Sequence, residues 1–173
     1  MPNTSSIIDD LSREPPQSAI GTNWQLFTDQ VMGGLSHGRM ARENIAGRAA
    51  IHMGGDVSLA NNGGFIQISL DLAPDGEPFD ASGWLGFEID VYGKSDEYDF
   101  RLRTSELSQP WQSYRQSFVA EPHWETVRLP FDQFKPHRID KPLNVRLLRR
   151  LGLVAIGKAF SVDLGLGGIR LFA

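Results

Sequence analysis

Three segments of this chain alternate apolar and polar residues with a period of two, and that pattern limits the possible folds more than any other feature. Ile66, Ile68, Leu70 and Leu72 alternate with Gln67, Ser69 and Asp71. Leu85, Phe87, Ile89 and Val91 alternate with Gly86, Glu88 and Asp90, and Tyr98, Phe100, Leu102 and Thr104 with Asp99, Arg101 and Arg103. Successive strand side chains point to opposite faces, so each segment reads as a strand with one face on a core and one toward water. Weaker strand signals cover 24–28, 39–42, 48–53, 114–119, 126–129, 150–156, 160–164 and 169–172. Turn chemistry separates them, as in Asn61-Asn62-Gly63-Gly64, Pro74-Asp75-Gly76 and Gly167-Gly168. A helical break is expected only around Phe131 to Phe134, after Pro130. Roughly ten short, regularly spaced strands imply an all-β sandwich or barrel.

The bulk numbers bound the rest. At 173 residues the chain has a one-domain length, and a domain of this size buries roughly 70% of its unfolded surface. It contains no cysteine, which excludes disulfides, zinc–thiolate sites, iron–sulfur clusters and cysteine nucleophiles. Its 17 Lys and Arg against 21 Asp and Glu give a net charge of −4, without the basic footprint of a nucleic-acid binder. Residues 1–20 read as a flexible tail, with Ile7, Ile8 and Leu11 enough for one weak helical turn, and 21–173 as a single sandwich domain. The N-terminal segment carries Asp9, Asp10 and Glu14 and resembles neither a secretory signal nor a transit peptide. No run approaches the roughly 18 apolar residues of a membrane helix. The cytoplasm is the expected compartment.

The stretch Asp29-Gln30-Val31-Met32-Gly33-Gly34-Leu35-Ser36 is not ordinary turn chemistry, nor is Ser58-Leu59 followed by Asn61-Asn62-Gly63-Gly64-Phe65. Gly pairs in strand-like sequence suggest positive φ or close approach of another segment. Together with Trp84-Leu85-Gly86-Phe87, the strand Tyr98 to Arg103 and the Trp124 to Phe134 segment, this ordered set resembles the complex I intermediate-associated protein family, over about residues 22–173. That family is named for an assembly factor of NADH:ubiquinone oxidoreductase. The resemblance implies a galactose-binding-like jelly roll, in agreement with the alternation. It also implies a non-catalytic role in assembling or holding another protein, with respiratory-complex subunits among the possible clients. The chain is similar to short stand-alone bacterial forms. The motif loop (Asp29, Met32, Gly33, Gly34, Ser36, Asn61, Asn62, Gly63, Gly64 and Phe65) is expected to be structural, its Gly pairs shaping the sandwich.

No catalytic set emerges from the residues. His37, His52, His123 and His137 show no metal-ligand spacing, and neither a metal nor a cofactor is expected. Gly33-Gly34 lacks the residues of a phosphate loop, and no Ser lies in a nucleophile elbow. Asp29, Asp56 and Asn61 are close enough in sequence to raise a structural calcium, although no loop has an EF-hand pattern.

A charged face is the remaining candidate. Glu88 and Asp90 share one side of a strand, and Arg101 and Arg103 share one side of the next. If those strands pair antiparallel, acids face arginines, either as a solvated ion-pair ladder or as a face for a sugar or partner. Tyr92, Trp111, Tyr114 and Arg115 lie near the strand ends and complete that face. Same-face strand carboxylates roughly 7 Å apart fit inverting glycosidase chemistry, but facing arginines would keep both ionised, where a general acid needs a raised pKa. Trp24, Trp84 and Trp124 begin strands and suit packing, whereas Trp111 sits in a polar loop and is expected to be exposed. The function expected is therefore a non-enzymatic binding module of the protein-assembly or chaperone kind. A carbohydrate-binding module is the alternative.

Overall fold

The computed structural model describes residues 6–173, the side chain of Asn62 excepted. Twelve strands occur among them: β1 (Ile7–Asp9), β2 (Gln25–Thr28), β3 (His37–Ile45), β4 (Arg48–Val57), β5 (Phe65–Asp71), β6 (Gly86–Tyr92), β7 (Asp96–Thr104), β8 (Ser113–Ala120), β9 (Glu125–Pro130), β10 (Lys135–His137), β11 (Leu148–Ile156) and β12 (Phe160–Phe172). They form two antiparallel sheets, a jelly-roll sandwich. The first runs β3-β4-β12-β6-β9 with β1 also on β12, and the second runs β10-β8-β7-β11-β5-β2.

The alternation decides which side chains meet between the sheets. Phe87, Ile89 and Val91 of the first sheet and Ile66, Ile68, Leu70, Phe100, Leu102, Leu151 and Leu153 of the second are all buried in one hydrophobic cluster. Leu85 falls before β6 begins and stays exposed. The break after Pro130 is a 3₁₀ turn, Phe131–Gln133.

Two segments differ from expectation. The segment after residue 5 is tied to the sandwich instead of forming a tail, through strand β1 and the buried Ile8, Asp9 and Ser18; residues 1–5 lie outside those described. Strand β4 pairs with Phe160 to Leu166 of β12, and β1 takes over the same edge at Ile169 and Arg170. Ile8 is completely buried, and Asp9 accepts the Trp24 indole N–H at 2.7 Å. A lone Ile-Ile-Asp is too short to show a period, so only tertiary pairing reveals it. The second difference is at Gly167-Gly168, expected as a turn but lying inside the 13-residue β12 with a bulge between Leu166 and Gly168. A Cβ on Gly167 would lie 2.8 Å from the Arg48 guanidinium, so this glycine makes room for a side chain crossing the strand. No helix among the described residues is long and apolar enough to cross a membrane.

Candidate functional site

The family-motif loops are built around one carboxylate. Asp29 opens the 3₁₀ turn Asp29–Met32, where the Thr28 hydroxyl caps by accepting the Gln30 N–H at 3.2 Å. Asp29 is fully buried. Its Oδ1 accepts the Ser36 N–H at 3.0 Å. Its Oδ2 accepts the Ser36 hydroxyl and the N–H groups of Gly64 and Phe65, at 2.5 and 3.1 Å. Ser36 Oγ in turn accepts the Ser58 N–H at 2.9 Å, tying the loop after β4 to the loop after β2. Burial pushes the Asp29 carboxyl up, but the Ser36 hydroxyl and the three amides outweigh it and hold its pKa below the ordinary value. A Cβ on Gly63 would stand 2.7 Å from Oδ2, and one on Gly34 would intrude further, so both positions must lack a side chain. Both Asp29 oxygens face donors, the reverse of what a cation needs, and Asp56 points to solvent. This carboxylate is therefore a clamp rather than a calcium ligand.

The clamped loops present apolar side chains outward. Val31, Met32, Leu35 and Leu59 are between 51% (Leu35) and 73% (Val31) exposed, on backbone that the Asp29 bonds hold fixed.

The outer face of the second sheet adjoins them. Its rows follow from register: Phe27 beside Gln67 and Val154; Ser69 beside Gly152, then Arg101, Arg115 and Lys135; Asp71 beside Arg150, then Arg103. A cleft of about 300 Å³ crosses this face, lined by Phe27, Val31, Phe65 and Gln67 on one side and Arg101, Arg103, Ser113 and Arg150 on the other, with Gly152 in its floor. Arg103 Nη1 donates to the carbonyls of Gln109, Pro110 and Gln112, at 3.0, 3.3 and 2.5 Å, and so shapes the loop that carries the exposed Trp111.

The anticipated single charged face is divided. The turn between β6 and β7 crosses from one sheet to the other, so Glu88, Asp90 and Tyr92 lie on the first sheet and Arg101, Arg103 and Arg115 on the second. Sequence neighbours in a jelly roll need not be sheet neighbours, and the expected β6–β7 ladder does not form. Asp90 pairs instead with Arg48 at 2.7 Å and Arg170 at 3.0 Å and accepts the Thr126 hydroxyl at 2.7 Å. Glu88 pairs with Arg128 at 3.1 Å and Arg170 at 3.4 Å. Burial pushes the Asp90 carboxyl up, but Arg170, Thr126 and Arg48 overcome it and bring the pKa down to about 2, unsuited to a general acid. Tyr92 packs edge-on against Trp124, over which Arg48 lies at 5.0 Å. Tyr114 is no face residue. It stands opposite the inward Leu102 and is completely buried, its hydroxyl donating to the Lys141 carbonyl at 3.0 Å.

Sequence reasoning missed Arg150, Gly152, Gln67, Phe27 and Ser113 on the cleft. Their one signal was parity: Arg150, Gly152 and Val154 occupy the outward phase of a strand recognised by its inward Leu151 and Leu153.

Fold and site together define an antiparallel jelly-roll sandwich with a grooved sheet face and a clamped loop apron. The sequence profile of Complex I intermediate-associated protein 30 matches residues 16–164, and the chain belongs to that family. No curated protein matches the sequence. Among solved structures, the family 11 carbohydrate-binding module of the cellulosomal cellulase Lic26A-Cel5E of Clostridium thermocellum superposes with a TM-score of 0.74 at 15% identity, covering 100% of this chain and 96% of that one. The Clostridium thermocellum family 11 module in complex with a β-1,3-1,4-mixed-linked tetrasaccharide gives 0.73 at 15% identity, covering 98% and 95%. A family 30 carbohydrate-binding module gives 0.66 at 10% identity, covering 95% and 86%. Likeness at this identity shows the fold alone.

Proposed function

We propose that this protein is a non-catalytic binding module that holds a protein client, in the manner of an assembly factor. The observation that carries this reading is the apron of Val31, Met32, Leu35 and Leu59, exposed yet fixed by the buried Asp29. A rigid apolar surface loses little entropy when a partner covers it, and desolvated apolar contacts are what protein partners supply. Membership of a family named for complex I intermediates supports the same reading and makes respiratory-complex subunits the first clients to seek. Affinity capture from the native host tests it, using the wild type and a Val31→Asp, Leu35→Asp double variant. The wild type retains a defined client at constant stoichiometry and the variant loses it. Repeated capture of nothing above background, or a client retained by the variant, contradicts the reading.

One observation favours a second reading, a carbohydrate-binding module. The cleft lies across a sheet face and is flanked by Phe27 and Phe65, and aromatic rings stack on sugar C–H groups. The structural neighbours that bind carbohydrate are relatives in fold. Thermal-shift measurement with mixed-linked β-glucan tetrasaccharide decides: stabilisation at millimolar sugar supports this second reading, and none removes it.

A further inference from the structure

Two pairs of like charges stand directly opposite one another on the outer face of the second sheet. Arg103 faces Arg150 across β7 and β11, and Arg101 faces Arg115 across β7 and β8. Like charges in directly opposed positions destabilise a sheet, and this chain has a net charge of −4. Concentrated positive charge therefore needs an explanation here. Carboxylates account for part of it: Asp99 holds Arg101 at 3.0 Å and Asp71 holds Arg150 at 2.7 Å. Among the described residues Arg103 has no acidic partner, and its Nη1 donates to three backbone carbonyls. Burial, then the charges of Arg150 and Arg149, press its pKa down, and His137 at the far edge is held low by burial and by Arg115, Arg101 and Arg138. Among the described residues the cleft is lined by three arginines and by no Asp or Glu. On its wall the hydroxyl of Ser113, a residue only 5% exposed, is buried with no hydrogen-bond partner among the described residues.

We infer that this cleft is an acidic-peptide site, taking a client segment that carries a carboxylate beside an aliphatic side chain. Arg103 and Arg150 bind the carboxylate, a geometry in which guanidinium groups offer paired donors. The Ser113 hydroxyl donates to it, and Phe27, Val31 and Phe65 cover its apolar neighbour. The inference rests on the protein-client reading and names the chemistry of the client. Continuity selects a peptide over a glycan, because Val31 belongs both to the cleft and to the exposed apron. Three guanidinium groups also line the cleft, and Asp71 and Asp99 neutralise only two of them, a surplus of positive charge that suits an anion better than a neutral sugar.

Amide chemical-shift titration of the full chain tests the assignment. The probes are the peptide Ac-Asp-Leu-Glu-Leu-Asp-NH2, its amide isostere Ac-Asn-Leu-Gln-Leu-Asn-NH2 and mixed-linked β-glucan tetrasaccharide. The acidic peptide is expected to give saturable shifts at Gly152, Ser113 and Val31. Its affinity should fall at least about tenfold for the isostere and for Arg150→Gln, and stay within about twofold for Arg128→Gln on the opposite sheet. Arg103→Gln also frees the loop at Gln109 to Gln112, so Arg150→Gln, at the cleft rim, is the deciding variant. No saturable shift by about 10 mM peptide, equal binding of the isostere, or tighter binding of the tetrasaccharide at the same amides overturns the assignment. Client capture separates the two claims. A client that Arg150→Gln retains but the apron variant loses leaves the client reading standing and removes this site. A wild type that captures no client removes the client reading itself.

Discussion

Replacing Asp29 by Asn keeps the shape of the side chain and removes its charge, which isolates the clamp. The carboxylate accepts from Ser36 N–H on one oxygen and from the Ser36 hydroxyl, Gly64 N–H and Phe65 N–H on the other. The best amide orientation keeps its oxygen on the second set and turns its NH2 toward the Ser36 N–H, donor against donor. Hydrogen bonds to a charged group contribute about 1.5–3 kcal/mol and neutral ones about 1, so three weakened bonds lose roughly 3 kcal/mol. One orphaned buried donor costs roughly 1–3 kcal/mol more. Such neighbouring terms are not additive, and about 3–5 kcal/mol is expected overall. For a chain of 173 residues that lowers Tm by roughly 6–20 °C. Urea unfolding of wild type and Asp29→Asn measures it, with native-state hydrogen exchange at Gly64 and Phe65 reading the clamp directly. A loss below about 1 kcal/mol, with unchanged exchange at those amides, would refute the clamp argument.

Other consequences are equally specific. Asp90 has a folded pKa of about 2 against an ordinary 3.8; its contribution is therefore complete above the unfolded value and disappears as pH falls through the folded one. After discounting for the partly exposed Arg48 and Arg170, about 1–2 kcal/mol is at stake. Acid titration of Asp90→Asn should thus show a stability gap at neutral pH that closes between about pH 4 and 2. Ile8→Ala should cost about 2–4 kcal/mol by chemical denaturation, because Ile8 is completely buried; a flexible tail would show no effect. Trp111 is 58% exposed, and Trp111→Ala should change stability by less than about 0.5 kcal/mol.

The sandwich was legible because its inner faces are regular. Ile66 to Leu70, Phe87 to Val91 and Tyr98 to Leu102 carry an alternation that only a two-faced sheet explains, and the observed strands follow it. Sheet membership was not legible. Nothing in the spacing of Asp90 and Arg101 says that the chain changes sheet between them, and the expected charge ladder fell apart at that crossing. Short pairings were hidden too, since Ile7–Asp9 and Lys135–His137 become strands only where β12 and β8 meet them. The motif loop announced itself by its Gly pairs, but the reason for them, a carboxylate filling the space where Cβ atoms would sit, is a three-dimensional fact. The cleft rests on outward residues, where sequence pattern is weakest because packing does not constrain them.

The central claim is that the clamped apron is the surface a client covers, and site-specific photo-crosslinking in the native host tests it most directly. A photoreactive residue placed at Met32, on the apron, is compared with one at Ser161, exposed on the first sheet. The account predicts a discrete protein adduct from Met32, lost when Val31→Asp and Leu35→Asp are added, and none from Ser161. An adduct from Ser161 with none from Met32, or a Met32 adduct that survives the apron substitutions, would contradict it.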